Sequence, residues 1–233
     1  MRRKLVLTAA LFAATIFGAS AANANPIYIG YQIDGGSLTL GASGAGAASF
    51  TGTAGNVGLL ISGIGSPFLA EPNMGSANII ARNNSGLLPS IVKVFVSETN
   101  LTATPDFLKF GFTNNHVSTG PILIEAYLNS CSGGLCGSTI GDDVFDTPAL
   151  ALVYNSSVAK NSVGVAMVTF PSTVTGPYSE TLVYTVTLPR GGVANANFGA
   201  VGVNVPEPLT LSLFGAGLAG AAVIRRRRQK RAA

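Results

Sequence analysis

Thr181-Leu182-Val183-Tyr184-Thr185-Val186-Thr187-Leu188 alternates strictly, with Leu182, Tyr184, Val186 and Leu188 on one face and Thr181, Thr185 and Thr187 on the other. A period of two, carried by β-branched and aromatic side chains, is the mark of a strand with one buried and one wetter face. Working outward, Ile91–Glu98 (IVKVFVSE) puts Ile91, Lys93, Phe95 and Ser97 on one face, and 121–128 (PILIEAYL) groups Ile122, Ile124, Ala126 and Leu128. Val163–Phe170 and Ile27–Ile33 repeat the pattern, and shorter candidates lie at Ser37–Leu40, Val57–Ile61, Asn78–Ala81 and Phe107–Thr113. Gly, Asn, Pro and Ser breaks separate them. Short strands at such spacing predict an all-β fold, an antiparallel β-sandwich with one face of each sheet buried. No amphipathic helix of ten residues stands out between 25 and 204.

Two stretches read differently. Gly41–Gly65 is rich in Gly, Ala, Ser and Thr and is expected to form tight turns and bulges; a phosphate-cradling loop would need a following helix that is not visible. Residues 189–204 (PRGGVANANFGAVGVN) are expected to be a flexible or extended linker. The domain is therefore set at 25–188.

Both ends carry targeting chemistry. Met1-Arg2-Arg3-Lys4 is a basic n-region, Leu5–Gly18 an apolar h-region, and Ala22-Asn23-Ala24 an A-x-A pattern, so 1–24 is expected to be a signal peptide cut after Ala24, with Ala21 the second choice. At the other end Val205-Pro206-Glu207-Pro208 precedes an apolar run, 209–224, and then Arg225, Arg226, Arg227, Arg228, Gln229, Lys230 and Arg231. As a helix, the run would span roughly 24 Å against a hydrocarbon core of about 30 Å, a short transmembrane helix whose ends snorkel. The basic stop keeps the C-terminus cytoplasmic.

The order and terminal position of these elements resemble the PEP-CTERM sorting proteins of Gram-negative bacteria, over Val205 to Arg231. That resemblance implies recognition near Pro-Glu-Pro by exosortase, an integral-membrane cysteine protease-transpeptidase. It also implies passage through an inner-membrane intermediate to the cell surface or matrix, in association with exopolysaccharide and biofilm. Lys93–Leu101 and Gly176–Tyr184 resemble recurring strand segments of these ectodomains. The ectodomains themselves differ widely, so the resemblance assigns residues 25–204 no ligand.

Charge changes meaning once the ends are set aside. The whole chain is at +4, but residues 25–204 hold five basic side chains against nine acidic ones, a net −4. Nucleic-acid binding needs clustered Lys and Arg facing phosphates and is not expected. Cys131 and Cys136, separated by Ser132-Gly133-Gly134-Leu135 in an exported chain, are expected to form a disulfide clip rather than a metal or redox site. His116 lies in a polar turn without an identifiable carboxylate partner, so no triad is expected. Asp142, Asp143 and Asp146 could gather calcium, but the ligand spacing of an EF-hand is absent and solvated loop acids are the default reading. No cofactor is expected.

Two functions of different class follow. The favoured one is a non-enzymatic, exosortase-processed surface or matrix protein, presenting hydroxyl, amide and Tyr groups to polysaccharide. The alternative is a secreted hydrolase using carboxylates among Asp106, Glu125, Asp142, Asp143 and Asp146, whose pairing across a cleft would decide it. A third reading leaves the tail uncut, giving a membrane-anchored periplasmic β-domain.

Overall fold

The structure is a computed structural model, and it describes residues 24–66, 69–86, 88–116, 122–131, 136–137, 144–145, 151–159 and 161–205, with Phe214 and Gly217. Among the described residues twelve strands run in chain order: β1 Pro26–Ile33, β2 Thr39–Ala45, β3 Ala47–Ala54, β4 Val57–Ile64, β5 Met74–Asn83, β6 Ser90–Leu101, β7 Phe107–His116, β8 Ile122–Ser130, β9 Ala151–Val158, β10 Ser162–Thr169, β11 Tyr178–Leu188 and β12 Val193–Val203. They form two six-stranded sheets, sheet A in the order β2-β1-β6-β11-β8-β9 and sheet B in the order β10-β7-β12-β5-β4-β3. Every pairing is antiparallel. The chain crosses repeatedly between sheets, passing from sheet B to sheet A between β5 and β6 and from sheet A to sheet B between β11 and β12. The fold is an antiparallel β-sandwich.

Alternation builds that core. Leu182, Tyr184, Val186 and Leu188 are buried, as are Ile122, Ile124, Ala126 and Leu128 on the adjacent strand. Sheet B answers with Leu59, Ile61, Ile79, Ala81, Leu108 and Phe110. Phe110 stacks on Tyr154 of sheet A at 5.1 Å and meets Phe198 at 6.0 Å, a bridge of rings between the layers. Such aromatic pairs add roughly 0.5–1.5 kcal/mol each beyond the area they bury.

Two expectations are corrected. Gly41–Gly65 holds the expected turns, at Gly46 and Gly55-Asn56, and a bulge at Gly41, but it is mainly strand: it carries most of β2 and all of β3 and β4. Ala54 pairs with Val57 across the two-residue turn Gly55-Asn56. Gly55 takes φ 57°, which a side chain would resist, so Gly suits the first position of this hairpin turn. Nor is 189–204 a linker, since Val193–Val203 is β12, paired with β7 on one side and β5 on the other. Ala194, Ala196, Phe198 and Ala200 point into the core while Asn195 and Asn197 point out. Ala and Asn have low intrinsic strand preference, and burial between two neighbours overrides it. Strand β9 had no counterpart among the expected segments.

The apolar run 209–224 lies outside the described residues except for Phe214 and Gly217, both helical. Among the described residues no helix is long and apolar enough to cross a membrane. The signal segment up to Asn23, Pro206–Pro208 and the basic residues from Arg225 to Arg231 also lie outside the described residues, as do Asp142, Asp143 and Asp146.

Candidate functional site

Of the carboxylates expected to serve a hydrolase, two are described, and they stand apart. Asp106 precedes β7 in sheet B; its Oδ2 accepts from the Val205 N–H at 2.7 Å, and its own N–H donates to Asn204 Oδ1 at 3.3 Å. Glu125 lies in β8 of sheet A and accepts from the Tyr127 hydroxyl at 2.9 Å. Burial, reinforced by that hydrogen bond and the Glu125 charge, pushes the Tyr127 phenol up to about 12. His116 ends β7, opposite Ala194. Cys131 and Cys136 are joined by a disulfide, with Cα atoms 4.8 Å apart. The clip is held against β6, where the Cys136 N–H donates to Asn100 Oδ1 at 2.9 Å and the Asn100 N–H reaches Cys136 Sγ at 3.2 Å. Asn100 itself has φ 64°, a kink that closes the strand.

The carboxylates that the fold does bring together are Glu98 and Glu180. They are Cα partners across β6 and β11. Both continue an inward row, Glu98 after Val92, Val94 and Val96, Glu180 before Leu182 and Tyr184, and both are 0 % exposed. Glu98 Oε1 accepts the Ser66 N–H at 2.8 Å. Glu98 Oε2 and both oxygens of Glu180 are buried without a hydrogen-bond partner among the described residues. Burial pushes the Glu98 carboxyl up to about 7 against hydrogen bonds from Ser66 and Asn25, and the Glu71 charge adds to the rise. Burial also raises Glu180 well above the usual range, with the Glu98 charge adding to it.

Glu71, beside them, is satisfied. Its Oε1 accepts from Asn25 Nδ2 at 2.8 Å, and Oε2 accepts from the Thr102 N–H, the Thr102 hydroxyl and the Ala103 N–H at 2.9, 3.0 and 3.2 Å. Burial alone would raise it, but these donors outweigh that cost and hold it below the usual carboxylate value. In the sequence alone Glu98 and Glu180 stand out only as two of the nine acidic residues of 25–204. The signal was present twice, as Ser97-Glu98-Thr99 and Ser179-Glu180-Thr181. The alternation that carries Val94 and Val96 inward carries Glu98 inward too. Ser97 and Thr181 meet on the opposite face, their hydroxyls 2.9 Å apart.

A second arrangement lies outside the sandwich, on sheet B. Register sets outward residues of β12, β7 and β10 in rows: Asn195 beside Asn115, Asn197 beside Thr113 and Val163, Gly199 beside Gly111 and Val165, Val201 beside Lys109 and Met167. Thr113, Asn115, Asn161, Asn195 and Val163 line a depression of about 410 Å³, with Asn114 in its floor. It continues into a second of about 290 Å³ over Gly111 and Val165. The glycine row lowers the floor, and Val163 and Val165, both more than half exposed, form one wall, with exposed Met167 next along β10. The outer face of sheet A is different: Val144 and Phe145 pack there on Tyr28, Phe95 and Val183.

Strand β12 delivers the chain straight to its tail, for Asn204 and Val205 are the two residues clasped by Asp106. A family model described as the PEP-CTERM protein-sorting motif matches residues 204–228. The chain carries a PEP-CTERM sorting motif. The motif starts directly after β12, without the spacer that 189–204 was expected to supply. Comparison with curated proteins returns no match. Among solved structures the chain is similar to carbohydrate-binding modules of the β-sandwich superfamily (9% identity, TM-score 0.37, covering 79% of this chain and 86% of that one). It is also similar to the adhesin domain of Epf from Streptococcus pyogenes (13% identity, TM-score 0.41, 77% and 60%). A third is the family 11 carbohydrate-binding module from Clostridium thermocellum, in complex with a mixed-linked tetrasaccharide (10% identity, TM-score 0.34, 77% and 98%). At these identities and scores the neighbours' ligands do not transfer to this chain.

Proposed function

We propose that the chain is an exported, exosortase-processed, non-enzymatic surface or matrix protein of a Gram-negative bacterium, associated with extracellular polysaccharide through the open face of sheet B. The observation that carries the sorting half is the PEP-CTERM motif at 204–228, placed immediately after the last strand of the domain. Signal-peptide chemistry at 1–24 and the basic stop at 225–231 agree with it.

The glycan half is supported by the trough. Asn and Thr side chains offer both donors and acceptors to sugar hydroxyls, and the aliphatic wall suits the C–H faces of a pyranose. No charged residue is among the described residues that line it. Such a surface holds a polymer by repetition along its length rather than by one tight pocket.

Gly111 tests this reading cleanly. A Cβ built on Gly111 meets nothing within 4 Å, so a side chain there starts in open space and Gly111→Leu should extend into the trough. The full chain should co-sediment with polysaccharide purified from the producing cells, and Gly111→Leu should lose that retention at unchanged thermal stability. Equal retention by the variant would remove sheet B from the account. Deleting exosortase should leave the chain in the membrane fraction, and normal release would remove the sorting half.

A further inference from the structure

We propose that Glu98 and Glu180 form a binding site for a hard divalent cation of the calcium class, inside the end of the sandwich between β6, β11 and the Gly65-Ser66 turn. The inference rests on the geometry of the domain and is independent of the glycan reading.

The two carboxylates are Cα partners on adjacent strands, both aimed into the core and both removed from water. Taking an ionised carboxylate out of water costs several kcal/mol unless partners replace its hydration, and two like charges side by side raise that cost. The charges acting on the pair make it worse, because Glu98 acts on Glu180 and Glu71 acts on Glu98. Three oxygens, Glu98 Oε2 and both of Glu180, have no donor among the described residues. The neighbourhood is otherwise well supplied: Glu71, in the same cluster, takes four donors. The bare oxygens are therefore a local arrangement of this pair.

Gly65 shows how closely the backbone wraps Glu98. Any Cβ at Gly65 would fall on the Glu98 carboxylate, so a glycine leaves the room the carboxylate uses. Acceptor-only oxygens, without His or Cys beside them, suit a hard cation rather than zinc. A water-poor site suits calcium better than magnesium, which gives up its waters reluctantly. Among the described residues no three His, Cys, Asp or Glu side chains are placed to hold one metal ion together, and Glu71 is already saturated by its donors, so backbone carbonyls or water must complete the shell around the two carboxylates.

The test uses the full chain in detergent, stripped with EDTA and titrated with CaCl2. The chain should bind one equivalent by calorimetry, and saturating calcium should raise Tm by about 5 °C or more. Glu98→Gln and Glu180→Gln should each weaken calcium binding at least tenfold and abolish the shift. Hydrogen exchange on the unsubstituted chain gives a reading that does not depend on the variants folding. Calcium should slow exchange at the amides of 97–100 and 179–181. The proposal is overturned if calcium leaves Tm and exchange unchanged, if both variants keep the wild-type affinity, or if protection falls only on 137–150. An absent calcium response would assign the pair to shared protons instead.

Discussion

The two sheets place their polar groups on opposite sides. Sheet B is mainly apolar inward, through Leu59, Ile61, Phe110 and Phe198, with Asn83 and Asn114 also buried, and keeps Asn115, Asn195 and Asn197 on an open outer face. Sheet A turns Glu98 and Glu180 inward at one end, while Phe145 and the Ser97–Thr181 hydroxyl pair cover part of its outside. An exposed amide row costs little, and substitutions there are nearly silent for folding. A buried carboxylate pair has a large desolvation cost, so its retention points to a partner or a proton. The surface proposed for polysaccharide thus belongs to sheet B, and the cation site proposed above belongs to sheet A.

The largest effect expected on this contrast is in the core. Phe110→Ala should cost about 3–5 kcal/mol by urea unfolding, because it removes the ring that joins Tyr154 and Phe198 across the sheets. A loss below about 1 kcal/mol would deny sheet B its apolar inner face. Next is pH in calcium-free buffer. The folded Glu98 carboxyl is raised from 4.5 to about 7, so the folded chain holds that proton more tightly than the unfolded chain. The stabilisation is complete below about pH 4.5 and lost as pH rises towards 7, on the order of 3 kcal/mol. Glu180 acts in the same direction to higher pH, whereas Glu71, held low, loses stability only as pH falls. The urea midpoint should therefore be lower at pH 8 than at pH 5.5, and Glu98→Gln should flatten the difference. A midpoint that rises with pH would contradict the buried pair.

Smaller effects belong to the outside. Asp106→Ala should cost about 1 kcal/mol and speed proteolysis after Val203, because it removes the Oδ2 that accepts the Val205 N–H and leaves only the backbone bond from residue 106 to Asn204 Oδ1. Unchanged nicking would mean that the junction is not held there. Asn115→Ala with Asn195→Ala should shift stability by less than about 0.5 kcal/mol while weakening polysaccharide retention. A large loss of stability would show the amide row to be structural.

How much of this was legible depended on side-chain size. Thr181–Leu188 and Ile122–Leu128 declare themselves because large apolar residues recur at every second position. Strand β12 has the same period, but it is written in Ala and Asn, whose preference for strands is low, so it resembles a linker until its neighbours are known. Strand β3 hides in a Gly/Ala/Thr run for the same reason. The sorting tail was readable because its signals are local and ordered along the chain. The Glu98–Glu180 pair was not, since it depends on the register between strands more than eighty residues apart. The trough on sheet B likewise exists only once β10, β7 and β12 are side by side.

The central claim is that this β-sandwich is exported and separated from its PEP-CTERM tail. Intact mass spectrometry of the mature protein from the producing cells tests it most directly. The account predicts a chain that begins at Asn25 and ends before the apolar run 209–224, without Arg225–Arg231. A mature chain that retains the Arg225–Arg231 cluster would contradict it.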